Sequence, residues 1–299
     1  MKNTIGVKKR GFSEAVTQLL EALAKEDTRV SKCLIKRYQE LPVSPTVEEW
    51  AYNYFIAHSV ITAATVANPG SSMTTEFLYE GLHSPSSLDN YLLRSKAGQA
   101  VKARLTAIEK ELPKIIEKYR NKGGEVLIGN LGSGPGRDVI DTFYYYRDIS
   151  NVRAIHIDKD GKALERGKRM AIAKGVDHLI EFVQADFLRY KPTKKFDIAF
   201  LIGVICPLDI ETCITYLKII KRLLKPEGCL IASNASKRML EEDPFTCFLM
   251  EWTANWKLVH KDEKEIKQIF EKAGYLWEGC FTDSFGFHIM GIGIPCFFT

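Results

Sequence analysis

The chain lacks the features that would place it outside a reducing, aqueous compartment. Its seven cysteines, at 33, 206, 213, 229, 247, 280 and 296, include no Cys-x-x-Cys pair. An odd, scattered set makes no complete disulfide framework. The six histidines show no metal-ligand spacing either, so no metal is expected. The longest apolar stretch, Phe55 to Ala67, is interrupted by His58 and by small or hydroxyl residues and is too short to span a bilayer. No apolar signal core follows Lys2, Lys8, Lys9 and Arg10. A cytoplasmic protein with no membrane partner is the expectation. Charge of one sign is also modest. The net +5 comes from 42 basic and 37 acidic residues, spread over faces such as Lys162, Arg166, Lys168, Arg169 and Lys174. A nucleic-acid partner is therefore not expected from charge.

What is present is ordinary globular material with one unusual stretch. At 299 residues, 45% apolar and 26% charged, the chain can hold an α/β domain of ~150–200 residues and an accessory domain. The stretch Glu125-Val-Leu-Ile-Gly-Asn-Leu-Gly-Ser-Gly-Pro-Gly-Arg-Asp138 is an apolar run that ends in a glycine turn and then enters a helical pattern. Such a turn brings bare backbone N–H groups and the positive end of a helix to one point, where an anionic group can bind. A dinucleotide fingerprint would want its third glycine at 137, where the chain has Arg137. A phosphate loop would need a Lys-Ser or Lys-Thr pair after the turn, and none follows.

The alternating Gly132, Gly134 and Gly136 behind a strand resemble the first motif of the class I S-adenosylmethionine-dependent methyltransferases. The residues that follow keep the resemblance to about 295. Arg153–Ile157 reads as a second strand ending in Asp158, 22 residues past Gly136, where a carboxylate can accept hydrogen bonds from both hydroxyls of a ribose. A helical pattern over Lys162–Lys174 leads to a third strand, Ile180–Gln184, and to Asp186-Phe187. Phe196–Gly203 reads as a buried strand. A helix over Asp209–Leu224 is broken by Lys225-Pro-Glu-Gly228, and Gly228–Ser233 is a fifth strand. Asp262 and Glu265 look like a capped helix start, with the helix stopping at Gly274. Two last β-rich runs, Tyr275–Thr282 and Phe287–Ile294, can pair antiparallel.

The fold expected is α/β, doubly wound, a mostly parallel seven-stranded Rossmann-like sheet with helices on both faces and an N-terminal helical domain. Ligands bind such sheets beyond the carboxyl ends of the strands, near the switch point between the first and fourth. The resemblance implies S-adenosyl-L-methionine as cofactor. It implies contacts from Asn130, Gly132, Ser133, Gly134, Pro135, Gly136 and Asp138, from Asp158 and Lys159 at the ribose, from Asp186 and Phe187 at the adenine, and from Gly203. Two positions depart from the family pattern. Asn130 stands where an acidic residue is common, which leaves the methionine amine to Asp138 or a carbonyl. Gly203-Val-Ile-Cys-Pro207 is not the Asn-Pro-Pro-Tyr type that grips a planar amino nitrogen, which argues against base N-methylation.

The domain division expected is 1–120, a helical accessory or lid domain, and 121–299, the cofactor-binding domain. Phe12, Val16, Leu19, Leu20 and Leu23 suggest one amphipathic helix, Glu48–Val66 a second, and Asp89–Tyr119 a long third. Candidate acceptor-pocket groups are Tyr52, Tyr54, His58, Tyr79 and His83, with Cys206, Asn234, Trp252 and Asn255 from later loops. Tyr52 and His83 are the candidates for orienting cofactor and acceptor. A core, rim or turn-capping role is the competing explanation for each. The aromatic-rich segment Pro244–His260 either closes a pocket or packs on the N-terminal helices or another subunit; homo-oligomerisation stays open. Three functions compete: a methyltransferase acting on a small-molecule acceptor, an aminopropyl or aminocarboxypropyl transferase using the same cofactor pocket, and a non-catalytic cofactor-binding or RNA-interacting module.

Overall fold

The computed structural model describes residues 52–53, 55–70, 72–81, 86–146 and 150–297. The helix expected over Phe12–Leu23, and Tyr54 and His83, lie outside the described residues, as does the side chain of Trp252. The chain divides into two compact units, 1–101 with 242–257, and 102–241 with 258–299.

Among the described residues, the first unit is helical. Its helices are α1 (Val60–Ala67), α2 (Ser72–Glu80), α3 (Ser87–Arg94) and the start of α4 (Lys96–Arg120). A buried carboxylate organises it. Asp89, fully buried, accepts from the Ser59 hydroxyl at 2.6 Å and from the backbone N–H groups of Val60 and Ile61 at 3.2 Å each. It thereby satisfies donors that the first turn of α1 leaves open. The segment expected to be one helix over Asp89–Tyr119 breaks at Ser95, whose ψ of 151° is extended. The Ser95 hydroxyl donates to Leu92 O at 2.8 Å and accepts from Gly98 N at 3.1 Å, so it closes α3 and opens α4. Residues 242–257 belong to this unit, and Asp243 accepts from Ala97 N at 2.9 Å. The aromatic-rich segment packs on the N-terminal helices, its helix over Pro244–Ala254 lying against α1.

The second unit is a seven-stranded sheet. Its strands are β1 (Val126–Leu131), β2 (Val152–Asp158), β3 (Ile180–Gln184), β4 (Phe196–Leu201), β5 (Leu224–Ala235), β6 (Tyr275–Thr282) and β7 (His288–Pro295), in the order β3-β2-β1-β4-β5-β7-β6. All pairings are parallel except β5 with β7 and β7 with β6. The helices are the remainder of α4, then α5 (Arg137–Tyr145), α6 (Gly161–Lys174), α7 (Ile210–Lys221) and α10 (Glu263–Lys272); α8 (Lys237–Glu242) and α9 (Pro244–Ala254) come between β5 and α10.

Both faces of the sheet are covered. Ile198 and Phe200 of β4 enter one apolar cluster with Ile108, Leu112 and Ile116 of α4, Phe143 of α5 and Ala171 of α6. Ala199 and Leu201 enter the other, with Leu217 of α7 and Phe270 of α10. This alternation is the period-two geometry of a strand buried on both sides. The second half of α4, expected to belong to the accessory domain, is thus part of the sheet's own core.

Three local details refine the sequence expectations. The box of Asp262 and Glu265 forms at the start of α10, with Glu265 N donating to Asp262 at 2.9 Å and Asp262 N to the Glu265 carboxylate at 2.8 Å. The expected breaker Lys225–Gly228 instead lies within β5 as an irregularity opposite Phe196–Ile198. There Lys225 Nζ reaches both carboxylate oxygens of Asp197, at 2.8 and 2.9 Å.

Candidate functional site

The carboxyl ends of β1, β2, β4 and β5 lie on one edge, and the order reverses between β1 and β4. That is the crevice where open α/β sheets take ligands. The turn leaving β1 is built from positive-φ glycines, Gly132 at 64°, Gly134 at 55° and Gly136 at 73°, a region that side chains with a Cβ disfavour. Space reinforces the choice. A Cβ at Gly132 would lie 2.8 Å from Val204, and one at Gly136 would overlap the His156 imidazole. His156, fully buried in β2, stacks edge-on to Phe182 at 5.1 Å. Burial drives its pKa down to about 3, so the ring under the turn is a neutral spacer.

The N-cap of α5 is Gly136, with no side-chain cap. Of the first-turn donors Val139 N is taken by the Asp138 side chain, and a glycine cap supplies no acceptor of its own. Asp158, at the tip of β2, accepts from Gly134 N at 2.7 Å on one oxygen and from Asp160 N at 2.8 Å on the other. The two backbone donors hold the carboxylate against the turn. A carboxylate has about four lone-pair sites, so each oxygen keeps capacity for a further donor.

Asn130, 1% exposed, donates from Nδ2 to Asp138 Oδ1 at 3.2 Å, and Val139 N donates to the same oxygen at 2.9 Å. Burial pushes the Asp138 carboxyl up to about 6, against the Val139 N–H, the Arg104 guanidinium and the Asn130 amide, which all favour its charged form. Farther along the edge, Asp186 accepts from Leu188 N at 3.1 Å and pairs with Lys159 at 3.2 Å. Phe187 is buried, edge-on to Tyr216 at 6.1 Å. Past β4, Gly203 N donates to the Ser233 hydroxyl at 2.8 Å, which ties that loop to β5.

The structure thus gathers Asn130, Gly132–Gly136, Asp138, Asp158, Lys159, Asp186, Phe187 and Gly203 around one edge of the second unit. It turns other candidates to structural work. Asn234 is fully buried, its amide donating to Ala235 O at 2.7 Å and Val259 O at 3.1 Å and its oxygen accepting from Lys261 at 3.1 Å. Cys206 is buried, its thiol directed to Ser233 O at 3.8 Å, and burial raises its pKa. Asn255 closes α9 with a left-handed φ of 50°. Tyr52 and Tyr79 are half-buried and His58 is exposed in the first unit. Among the described residues no group of three or more metal-ligating side chains occurs, and no helix is long and apolar enough to cross a membrane.

Two features at this edge escaped the sequence. Arg104 of α4, 8% exposed, brings a guanidinium to within 3.7 Å of where a Gly203 Cβ would stand. At the β5/β7 end, Asp283 accepts from His288 N at 2.5 Å and from His288 Nδ1 at 3.0 Å, in a pair nearly closed to solvent. Burial outweighs that carboxylate and lowers the His288 pKa to about 4. Only periodicity on the stripe of α4 could have hinted at Arg104, and a lone arginine on a helix carries no such signal.

Comparison with known proteins accords with this geometry. Residues 120–274 match the model of a methyltransferase domain family. A search of curated proteins finds no match. Among solved structures, the chain resembles a possible exported protein from Bordetella parapertussis at TM-score 0.65 and 13% identity, over 97% of this chain and 96% of that one. It resembles magnesium protoporphyrin IX methyltransferase from Synechocystis PCC 6803 with bound S-adenosylmethionine at TM-score 0.53 and 12% identity, over 86% and 100% of the two chains. The apo S-adenosylmethionine-dependent methyltransferase SibL gives 0.54 and 12%, over 97% and 96%. At these identities the structural likeness is one of fold; the family rests on the match over 120–274. The chain belongs to the class I S-adenosylmethionine-dependent methyltransferases. It is an enzyme of methyl transfer, with S-adenosylmethionine as donor.

Proposed function

We propose that the protein methylates a small-molecule acceptor, with the cofactor held across the strand tips of the second unit. The observation that carries the cofactor placement is Asp158, fixed by Gly134 N and Asp160 N yet retaining lone pairs for two ribose hydroxyls. Three further features support the fit. The glycine turn offers a cradle that a Cβ would fill, the α5 N-terminus has no side-chain cap, and Asp138 is a half-buried carboxylate suited to an ammonium. On this proposal Asn130 orients Asp138, Lys159 and Asp186 border the adenine, and Gly203 lines the path to the acceptor. Phe187 backs the turn.

S-adenosylmethionine supplies an electrophilic methyl on a sulfonium, open to attack in line with the departing sulfur. The residues of this chain need only align, desolvate and, for a hydroxyl acceptor, take a proton. A small acceptor is favoured by the loop Gly203–Pro207, which offers no side-chain amide for a planar amino nitrogen, and by the dispersed basic residues. An accessory domain and a cofactor domain are part of the same proposal, divided as the two compact units are rather than at residue 120. So are the candidates Tyr52 and His83, and a cytoplasmic location, which the six free cysteines of the described residues support.

The test is incubation of the purified full chain with methyl-labelled cofactor and a small-metabolite extract. Label in a low-molecular-weight product, with S-adenosylhomocysteine released in equal amount, is the expected result. Methylthioadenosine as by-product would assign aminocarboxypropyl or aminopropyl transfer instead. Label in protein or RNA, or no turnover, would overturn the small-molecule proposal.

A further inference from the structure

Where β7 returns beside β5, the chain builds an imidazole–carboxylate pair that cofactor binding leaves unused. His288, the first residue of β7, pairs with Ala235, the last residue of β5, so it stands at the carboxyl end of that strand, on the ligand edge of the sheet. It lies two residues from Met290, which packs in the apolar cluster with α4, and so occupies the α4 face. The charge of Arg104 on α4 acts on both His288 and Asp138, which sets the pair on the Asp138 side of the crevice. The hairpin around it is pinned. Ser236 N donates to Phe287 O at 2.8 Å, and Asp283 accepts from Phe285 N at 2.8 Å, His288 N at 2.5 Å and His288 Nδ1 at 3.0 Å.

These contacts fix where the proton sits. Despite burial, the hydrogen bonds from His288 and Phe285 N hold Asp283 below the usual carboxylate range. An ionised carboxylate only accepts, so Nδ1 carries the imidazole proton and Nε2 the lone pair. Burial, with Arg104 and His260 nearby, outweighs Asp283 and keeps the ring neutral at physiological pH. No hydrogen bond among the described residues uses Nε2, and Nε2 is not sealed from solvent, although only 4% of the residue is exposed.

We propose that His288 Nε2 is the catalytic base for a hydroxyl acceptor, with Asp283 as its positioning residue. This rests on the small-molecule proposal above. The acceptor's O–H proton passes to Nε2 as its oxygen bonds the methyl carbon; the electron pair of the broken carbon–sulfur bond stays on sulfur, and the proton then leaves His288 for solvent. An oxygen that is gaining a methyl group grows far more acidic, so a base of low pKa suffices, and Asp283 stabilises the imidazolium that forms. An amine or a thiolate would need no such base.

The test uses the full chain, methyl-labelled cofactor and the small-metabolite extract as acceptor source. The carbon chemical shift of the labelled methyl group in the product is expected to be that of a methoxyl. An N-methyl or S-methyl product overturns the base while leaving small-molecule methylation standing; no labelled small molecule overturns both. His288→Gln is expected to slow transfer about hundredfold to ten-thousandfold, the range for general-base catalysis. Its affinity for S-adenosylhomocysteine by calorimetry should stay within about threefold of wild type, less than the tenfold of one lost contact. Asp283→Asn should slow transfer and move the proton off Nδ1, read in the nitrogen chemical shifts of histidine-labelled protein. Undiminished transfer in His288→Gln, or an unaltered tautomer in Asp283→Asn, overturns the assignment. If these variants do not fold, diethyl pyrocarbonate on wild type decides. Carbethoxylation of His288, mapped by peptide mass, should track the loss of transfer while the fully buried His156 stays unmodified; a resistant His288, or one modified without loss, overturns the proposal.

Discussion

The carboxylate of Asp158 and the backbone N–H of Gly134 are joined by a hydrogen bond of 2.7 Å that ties the tip of β2 to the turn after β1. One oxygen thus holds the turn and keeps capacity for a further donor. Asp158→Ala should remove both functions. S-adenosylhomocysteine affinity is expected to fall about tenfold to hundredfold, since hydrogen bonds to a charged group contribute about 1.5–3 kcal/mol. Calorimetry checks this, and an unchanged affinity would place the ribose elsewhere.

Gly136 and His156 make a second testable pair. A methyl group at Gly136 would overlap the imidazole and sit at a φ of 73°. Gly136→Ala should therefore displace the turn and weaken cofactor binding by at least about tenfold, the scale set by about 1.4 kcal/mol of lost interaction. Relief of overlap alone would let Gly136→Ala/His156→Ala recover part of the loss. A double variant no better than the single one would locate the damage in the backbone angle.

Asp138 predicts a pH dependence. Its folded carboxyl titrates at about 6, above the ordinary 3.8. In the ligand-free protein its contribution to stability is therefore full at the acid end and lost as pH rises through 6. An ammonium bound beside Asp138 favours the charged form, so binding must expel the proton below that pH. Affinity for S-adenosylhomocysteine should fall about tenfold from pH 7 to pH 5, one unit below the folded value. Asp138→Asn should bind more weakly at pH 7 and show no such slope. A wild-type affinity flat across this window would remove Asp138 from the ammonium site.

The first unit has its own weak point. Asp89→Ala would leave the Ser59 hydroxyl and the N–H groups of Val60 and Ile61 without their buried acceptor. The cost should be about 1–3 kcal/mol. A lowered thermal transition with S-adenosylhomocysteine affinity kept within about twofold is the expected pattern, because the candidate cofactor residues all belong to the second unit. Scanning calorimetry and titration together would show it.

Much of the sheet was legible because its signals are local. Strand-turn-helix at 126–145, the cap at Asp262 and the carboxylate after β2 each follow from residues a few positions apart. The misjudged places are governed by distant partners. Ser95 breaks a continuous helical pattern because its hydroxyl serves Leu92 O and Gly98 N at once. Lys225–Gly228 stays in β5 although Pro226 argues for a stop, because Asp197 of the neighbouring strand holds Lys225. Asn234 and Cys206 read as pocket groups from their position after strands, yet their partners turn them inward.

The α/β order, the glycine turn and the acid that follows β2 can be read from residue types alone, since backbone conformation and hydrogen-bond capacity are properties of residue type. Which charged groups meet at the crevice was decided only by tertiary structure. Arg104 precedes β1 by more than a dozen residues and Asp283 and His288 lie far beyond it. Only the packing of α4 on the sheet and the antiparallel return of β7 beside β5 bring them to the edge that Asp138 and Asp158 occupy.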